Sequence, residues 1–554
     1  MPSYNIGLDF GTTNSIISYI GTTGQLEVFQ YGGPDGQKYI PSFLAYEDGF
    51  LEIGTAARNT AAHHSDVESY GNFKMRLPLS ESEFVNYFKG DRTPKQVAAD
   101  YLRELLLSPE NPYSFSSEQG EITRLVVSVP EIWQRDIYNL GRERLQKLIQ
   151  QLGLPLIQLV SEPVAAAAYY AWETHQRCHQ GLFAHERSQQ EHTEPFTGNL
   201  LVCDMGGGTF DVSLCRVYGD NKVEVLYFDG QGDKGLESAG VAFDRRCVQQ
   251  AYTKKHSEQL KENDPEFIRL FREFETVKIS SHAKITKKLI NYLKAPSDLA
   301  DQNVYIFSDG YTLTFGEVSE AFAPIAQGIQ RVMLRVQNWL QQNGEDFHRI
   351  FLVGGFSQFH LVQKAIIDTL AIDDNDPRLD RSFNITNSAY AISYGACLIA
   401  NGLVDPTEKY VHTLGIVINR ETPVVTIRGV QIEIEEEEIS LIRGGVSLDD
   451  LSQPQFYSQA LVAWQESFPL PIWVDPQSRG KRYKKSLSEP VKLPKYSQSA
   501  RYRVGMRVNP SQVAYLVIEE VTSLERVEYE LGNIISKMFP GFVLSEDSEK
   551  DSTF

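Results

Sequence analysis

A chain of 554 residues is longer than one hydrophobic core ordinarily supports, so about two to four domains are expected. Its 42% apolar and 23% charged residues fit a folded globular protein and exclude a disordered or fibrous one. Fifty-three Lys and Arg against seventy-two Asp and Glu leave a formal charge of −19, which argues against bulk electrostatic binding to nucleic acid or anionic lipid.

The five cysteines (Cys178, Cys203, Cys215, Cys247, Cys397) form no CxxC pair and fit a reducing compartment. Strand-like Tyr4–Leu8 follows the start with no basic-then-apolar leader, and no apolar run approaches the roughly 20 residues needed to span a bilayer. A cytoplasmic protein without a membrane role is expected.

In chain order, the first informative feature is Ile6-Gly7-Leu8-Asp9-Phe10-Gly11-Thr12-Thr13, an apolar strand ending in Asp before a Gly/Thr turn. Ile16–Tyr19 then alternates as a second strand, which makes a β-hairpin. Thr93 caps a helix that Pro94 opens and that runs to about Leu107. A second helix is expected from about Asp136 to Leu152, between strands Leu125–Val129 and Leu156–Val160. Residues 175–197 are polar and rich in Gln and His, and read as a surface insertion.

Leu200–Thr209 repeats the opening pattern: an apolar strand to Asp204, then Met205-Gly206-Gly207-Gly208-Thr209, with Asp211–Val217 returning. Helical periodicity recurs over 266–283 and 317–342, and a third glycine turn, Gly354-Gly355, follows the strand Ile350–Val353. Strands alternating with helices of this length predict an α/β architecture. After about 405 the segments become short and alternating (Leu414–Ile418, Val424–Ile427, Arg501–Val508, Ala514–Ile518), the signature of a β-rich second domain. Ser545–Phe554 is polar and acidic, and disorder is expected there.

A glycine turn between strands lets backbone N–H groups approach phosphate oxygens, and Thr hydroxyls add hydrogen bonds to the same oxygens. A carboxylate at the strand end suits Mg²⁺, held through its water shell. Two such hairpins facing each other would clamp a triphosphate. No G-x-x-x-x-G-K-[ST] occurs, so the site is not a P-loop. One such turn alone is more often an ordinary hairpin; two, with a third Gly-Gly turn downstream, make a nucleotide site the better reading.

On these residues the chain resembles the 70-kDa heat-shock protein (DnaK-type) family, a branch of the actin-like ATPases. Ile6–Ser15 resembles its first phosphate motif, Leu201–Val212 its second, and Leu159–Ala167 the segment bearing its catalytic-site glutamate. Ile350–Gln363 resembles its adenosine motif, with Ser393–Ala396 in the connecting helix after it. Phe243–Arg246 and Glu275–Lys278 resemble parts of the lobe that closes over adenosine, and Pro130 a proline linked to interdomain signalling.

The resemblance implies a duplicated, ribonuclease H-like ATPase domain of four subdomains over 1–402, with a linker at 403–412. A β-rich substrate-binding domain would cover 413–525 and a C-terminal segment with an acidic tail 526–554. It implies ATP or ADP with Mg²⁺ as cofactors and slow ATP hydrolysis. Asp9, Glu162 and Asp204 would organise the Mg²⁺ water shell and the attacking water, with Thr209 and Arg58 completing the catalytic set. Gly11, Thr12, Thr13 and Asn14 would hold the phosphates from one side, and Gly206, Gly207, Gly208 and Thr209 from the other. Gly240 would lie where the closing lobe meets the phosphates, and Glu275, Lys278, His282, Gly354 and Gly355 would surround adenosine. The implied partners are an unfolded polypeptide, a J-domain co-chaperone and a nucleotide exchange factor.

The departures fall at the base end. Arg58 stands, by spacing from Gly54, for a phosphate-contacting lysine, and His282 for a serine near adenine. Gln358 stands for a stacking arginine, and Ala389 for an acidic residue. Arg keeps the charge of Lys but presents a planar fork. The family's acidic, leucine-rich linker is replaced by Leu403–Glu408, and about thirty residues after the last clear strand are too few for a helical lid. Three further readings stay open: a nucleotide sensor with little hydrolysis, an actin-like filament-forming ATPase, and a small-molecule kinase of the same superfamily.

Two charge runs and a histidine cluster complete the survey. His175, Cys178, His179, His185 and His192 match no structural zinc spacing and read as a solvated loop. Arg479–Arg507 holds ten basic residues and one acidic one, which reads as a strand face balancing an acidic protein rather than a nucleic-acid grip. Glu433–Glu438 reads as a solvated edge or turn.

Overall fold

The computed structural model describes every residue except 1, 65–66, 80–82, 85–90, 135–138, 181–194, 220–221, 233–237, 263, 308–309, 381–384, 427–428, 479, 488, 533 and 535–554. The chain forms two compact units, 1–132 with 147–406, and 133–146 with 407–554.

The first unit is α/β and carries one strand pattern twice. β1 (Ser3–Phe10) turns back into β2 (Asn14–Ile20), and β3 (Leu26–Val28) follows antiparallel on β2. On its other side β1 takes β4 (Glu121–Val129) in parallel, and β4 takes β5 (Leu156–Ser161) in parallel. The second sheet repeats this: β6 (Gly198–Met205) turns into β7 (Phe210–Val217), and β8 (Lys222–Gln231) continues the meander. β9 (Arg349–Val353) joins β6 in parallel. The echo read in the sequence is therefore an echo of topology.

Helices cover the strands as their patterns require. α1 (Gly54–His63) follows a short strand. α2 (Pro94–Leu106) begins with the expected cap: Gln96 N–H donates to Thr93 Oγ1 while the Gln96 side chain accepts from Thr93 N–H. α3 (Asn139–Gln151) follows β4 in the chain, its residues to Gln146 counting with the second unit; α4 (Glu162–Gln180) follows β5, then α5 (Gly240–His256), α6 (Pro265–Ser280) and α7 (His282–Lys294) follow β8. α8 (Phe315–Asn343), α9 (His360–Leu370) and α10 (Ile385–Ala400) complete the unit. α10 packs on α4 at backbone distance, since a Cβ on Gly395 would overlap the Ala165 carbonyl. One apolar core, rich in Phe, lies under α5, α6 and α8, and another, rich in Ala and Val, under α4 and α10.

Several boundaries differ from the sequence reading. The expected insertion at 175–197 begins as the last turns of α4, which runs on to Gln180, and strand β6 begins at Gly198; residues 181–194 lie outside the described ones, with Cys178, His179, His185 and His192 among the side chains not described. The expected linker at 403–412 is partly strand. β10 (Asp405–Thr407) adds to the edge of the second sheet beside β8, where Pro406 is tolerated because an edge strand leaves one row of hydrogen bonds unused.

The second unit is β-rich. Lys409–Tyr410 pairs with Val446–Ser447, and Glu408 is buried where it accepts from Arg142 at 3.4 Å and from Gln512 at 3.3 Å. Leu414–Ile418 and Val424–Ile427, expected as separate strands, fall in one, β11 (Thr413–Thr426), apart from Ile427, which lies outside the described residues; β11 pairs along its length with β12 (Gly429–Ile442). The acidic run lies inside β12, and Glu436, Glu437 and Glu438 pair with Lys484, Arg420 and Arg482. β13 (Gln455–Phe456), β14 (Leu461–Val462), β17 (Arg501–Val508), β18 (Ala514–Glu520) and β19 (Arg526–Gly532) form a five-stranded sheet; β15 (Pro471–Asp475) and β16 (Tyr483–Ser486) extend the β11–β12 sheet. β19 carries the domain past the expected end at 525, because Val527, Tyr529 and Leu531 alternate against β18. One core, including Leu414, Ile472, Met506 and Leu516, lies in this unit. The tail at 545–554 lies outside the described residues.

Candidate functional site

β1 delivers Asp9 opposite Ile16, and β6 delivers Asp204 opposite Asp211, so each hairpin ends its strand in a carboxylate just before its turn. The two turns meet. A Cβ on Gly207 would overlap the Thr13 hydroxyl, and one on Gly208 would fall 2.6 Å from Thr12 Oγ1. No larger residue fits at either glycine without displacing the opposite turn.

The second turn is stapled to α5: the carbonyls of Gly206, Gly207 and Gly208 accept from the N–H groups of Gly240, Val241 and Ser238 at 3.1, 3.0 and 2.7 Å. On the first turn, the Gly11 carbonyl accepts from Ser42 Oγ at 2.7 Å. Gly354, at φ +81°, brings the third turn so close to Asp204 that a Cβ there would overlap its carboxylate.

Behind the turns lies a group of acids. Asp204, Asp211 and Glu162, the first residue of α4, are buried, and Asp9 is close enough to interact with Glu162. Lys74, on a short 3-10 helix at Phe73–Arg76, is fully buried with its Nζ 2.5 Å from Glu162 Oε1. Ser128 donates to Asp9 Oδ1 at 3.0 Å; Ile132 N–H and Thr209 Oγ1 donate to the two oxygens of Asp211.

Burial, then the charge of Glu162, pushes Asp9 up to about 7, against the pull of Lys74 and the Ser128 hydrogen bond. Burial and Glu162 likewise push Asp211 up to about 7, and the Asp204 carboxyl well above its usual range. Such a desolvated excess of acid over one lysine is what a divalent cation relieves. Among the described residues no three acidic, His or Cys side chains converge as direct ligands of one ion, so an ion here would keep much of its water shell. The acids and the glycine cradle fit Mg²⁺ with a phosphate chain.

Arg58, expected at the phosphates, instead lies on α1 with its guanidinium 3.7 Å from Glu275, and its carbonyl accepts from Arg272 at 3.1 Å. The buried cation among the acids is Lys74. Its sequence setting, Phe73-Lys74-Met75, offers one cue, a lysine between two apolar residues, and packing alone decides that all three go inside. Asp211 was within reach of sequence reasoning, as the outward partner of Asp204 in the second hairpin.

At the base end, Lys278 binds Asp244 at 2.5 and 2.7 Å, and its Nζ lies 5.4 Å above the Phe356 ring. Burial lifts Asp244 to about 6, with Lys278 opposing. Phe356, directly after Gly354-Gly355, is buried against Phe243 and Phe359 at 5.4 and 5.3 Å and abuts Gly240. Among the described residues Gln358 reaches only Ser357 Oγ, at 3.4 Å. His282 begins α7 half-buried, its pKa lowered by burial, and Ala389 is half-buried on α10.

A repeated α/β half, each with a hairpin aimed at the other across a shared set of carboxylates, defines a two-sided clamp. A family model described as Hsp70 protein matches residues 79–426, more than half of the chain, and the chain belongs to that family. It is similar to the chaperone protein DnaK of Thermosipho africanus, 25% identical over 379 residues that cover 67% of this chain and 56% of that protein. It is also similar to those of Metamycoplasma hominis (25% over 397 residues, 71% and 58%) and Deinococcus proteolyticus (25% over 401 residues, 67% and 56%). The chain thus spans about half the length of these curated relatives. Among the described residues no helix is long and apolar enough to cross a membrane.

Proposed function

We propose that the first unit binds ATP with Mg²⁺ and hydrolyses it slowly, as a four-subdomain actin-like ATPase, and that the nucleotide state governs polypeptide binding by the second unit. The observation that carries this reading is the meeting of Thr12 and Thr13 with Gly207 and Gly208 above Asp9, Glu162, Asp204, Asp211 and Lys74.

The turn amides and Thr hydroxyls hold the phosphate oxygens, and Lys74 holds Glu162 in place beside them. Asp9, Asp204 and Glu162 orient water, with Thr209 fixed by Asp211. Magnesium, when bound, neutralises phosphate charge, and phosphoryl transfer to water needs little from a protein beyond positioning and electrostatics. Glu275, Lys278, His282, Gly354 and Gly355 form the adenosine end. A J-domain protein and an exchange factor are the partners this reading implies.

Asp204→Asn tests it: ATP turnover falls at least about tenfold with the melting temperature retained. Turnover at the parental rate removes the assigned site. Titration with ATP, ADP and GTP, then of an unfolded peptide in each nucleotide state, tests the coupling, which requires peptide affinity to differ between states. A second reading, a nucleotide sensor with little hydrolysis, draws on the base end. There Lys278 is already neutralised by Asp244, and Gln358 stands where the family resemblance places a stacking arginine.

A further inference from the structure

Two exposed apolar surfaces of the second unit carry unpaired charges of opposite sign among the described residues. The first is on the β11–β12 ribbon. β11 pairs with β15 only over Thr413–Ile416, so beyond Val417 the two strands run on as a ribbon. Directly opposed residues of an antiparallel pair share a face, as do alternate residues of one strand. Ile432 faces Pro423 and Ile434 faces Glu421, so these four lie on one side. Ile432 and Ile434 are 63% and 66% exposed, and Glu421 has no cationic partner among the described residues.

The second surface is at one end of the five-stranded sheet. Val462 pairs with Arg501, and Val521 N–H donates to the Arg501 carbonyl, so the three lie side by side across the strands. Val462 and Val521 are exposed, Trp464 is 82% exposed, and Leu524 stands out from the turn beyond Val521. Around them Lys495 binds Glu525, while Arg503 and Arg526 bind Glu519. Arg501 has no carboxylate among the described residues. Trp464 follows Val462 by two residues, and an exposed tryptophan on the same surface as an arginine without a carboxylate partner is the composition of an interface hot spot.

We propose that the ribbon face of one copy of this chain docks on the Trp464–Arg501 surface of a second copy. Ribbon on ribbon would oppose two Glu421 carboxylates, and patch on patch two Arg501 guanidinium groups. Ribbon on patch buries Ile432 and Ile434 against Val462, Trp464 and Leu524 and sets Glu421 beside Arg501. The contact is heterologous, so every copy keeps one ribbon and one patch to offer, and association continues past the dimer unless a ring closes.

The test uses the full chain in sedimentation velocity across increasing concentration at about 0.15 M salt, where charges are screened within about 8 Å. The wild type is expected to form dimers and larger species. Ile432→Glu/Ile434→Glu and Trp464→Ala/Arg501→Glu are each expected to be monomeric with unchanged melting temperature. Mixed one to one, they form heterodimers and nothing larger, because only one productive pair of surfaces remains. Arg501→Glu alone loses assembly and regains it with Glu421→Arg. A monomeric wild type at every concentration, assembly by either double variant alone, or a mixture that stays monomeric overturns the proposal. A wild type that stops at a dimer, with no heterodimer in the mixture, overturns it in favour of a like-on-like contact.

Discussion

Nζ of Lys74 lies 2.5 Å from Oε1 of Glu162, and both side chains are shut away from solvent. Their neighbours Asp9, Asp204 and Asp211 are all pushed toward protonation, so one ammonium stands against four carboxyl groups. Charge in such a place interacts strongly because little water screens it. The arrangement is costly unless something cationic joins it, which is the place that the Mg²⁺ and phosphates proposed above would take.

Lys74→Met therefore removes the site's own cation. Loss of one preorganised charged group from such a site typically costs about a hundredfold or more in turnover. Single-turnover ATP hydrolysis is expected to fall by that order, with the protein still folded. Arg58→Met, which breaks a 3.7 Å pair with Glu275 at a partly exposed position, changes the chemical step less than about threefold. If the two effects are reversed, Arg58 is the phosphate-side cation.

The glycines of the second turn separate two roles. Nothing lies within 4 Å of a Cβ placed on Gly206, whereas one on Gly207 strikes Thr13. Gly207→Ala should lower stability without nucleotide, since overpacking costs about 1–3 kcal/mol. Gly206→Ala should leave that stability unchanged and weaken ATP binding, because its methyl group occupies the space assigned to phosphate. Melting curves with and without ATP read both. Equal ATP affinity for Gly206→Ala and wild type would move the phosphates elsewhere.

Asp244 and Lys278 form a pair that is nearly buried. Asp244→Asn leaves the ammonium without its carboxylate, and breaking such a pair typically costs about 3–5 kcal/mol. A drop in melting temperature is expected, mostly recovered in Asp244→Asn/Lys278→Met, where neither charge remains. A double variant no more stable than Asp244→Asn would show that packing, not charge, accounts for the loss.

Much of this was legible in the residues. Thr93, Pro94 and Gln96 specify a helix start by chemistry local to four positions, and the paired Asp-ending strands specify the two hairpins. What stayed hidden depends on distant chain. Lys74 meets Glu162 across 88 positions, and no local pattern announces a buried lysine. Pro423 made one 14-residue strand look like two, since proline ordinarily ends central strands. It is accommodated because β11 has lost β15 as a neighbour by that point, leaving one edge free.

His412 gives the second unit a dependence on pH. The imidazole is buried, edge-on to Tyr410 at 5.4 Å, and burial lowers its pKa to about 4. In the unfolded chain it titrates near 6.5, so between these values the unfolded state binds more protons. The neutral ring's contribution is fully present above about 6.5 and is lost as pH falls toward 4, by about 3 kcal/mol at most. Asp9 and Asp211 act in the opposite sense. Their raised folded values, about 7, give stability that is present at low pH and lost as pH rises through 7. The raw pH curve therefore mixes both signs, and the difference between wild type and His412→Leu isolates the histidine. Urea midpoints at pH 7.5, 6 and 5 are expected to move in the variant's favour as pH falls. A difference that stays constant over that range would mean that His412 carries its proton equally well in the folded and unfolded chain.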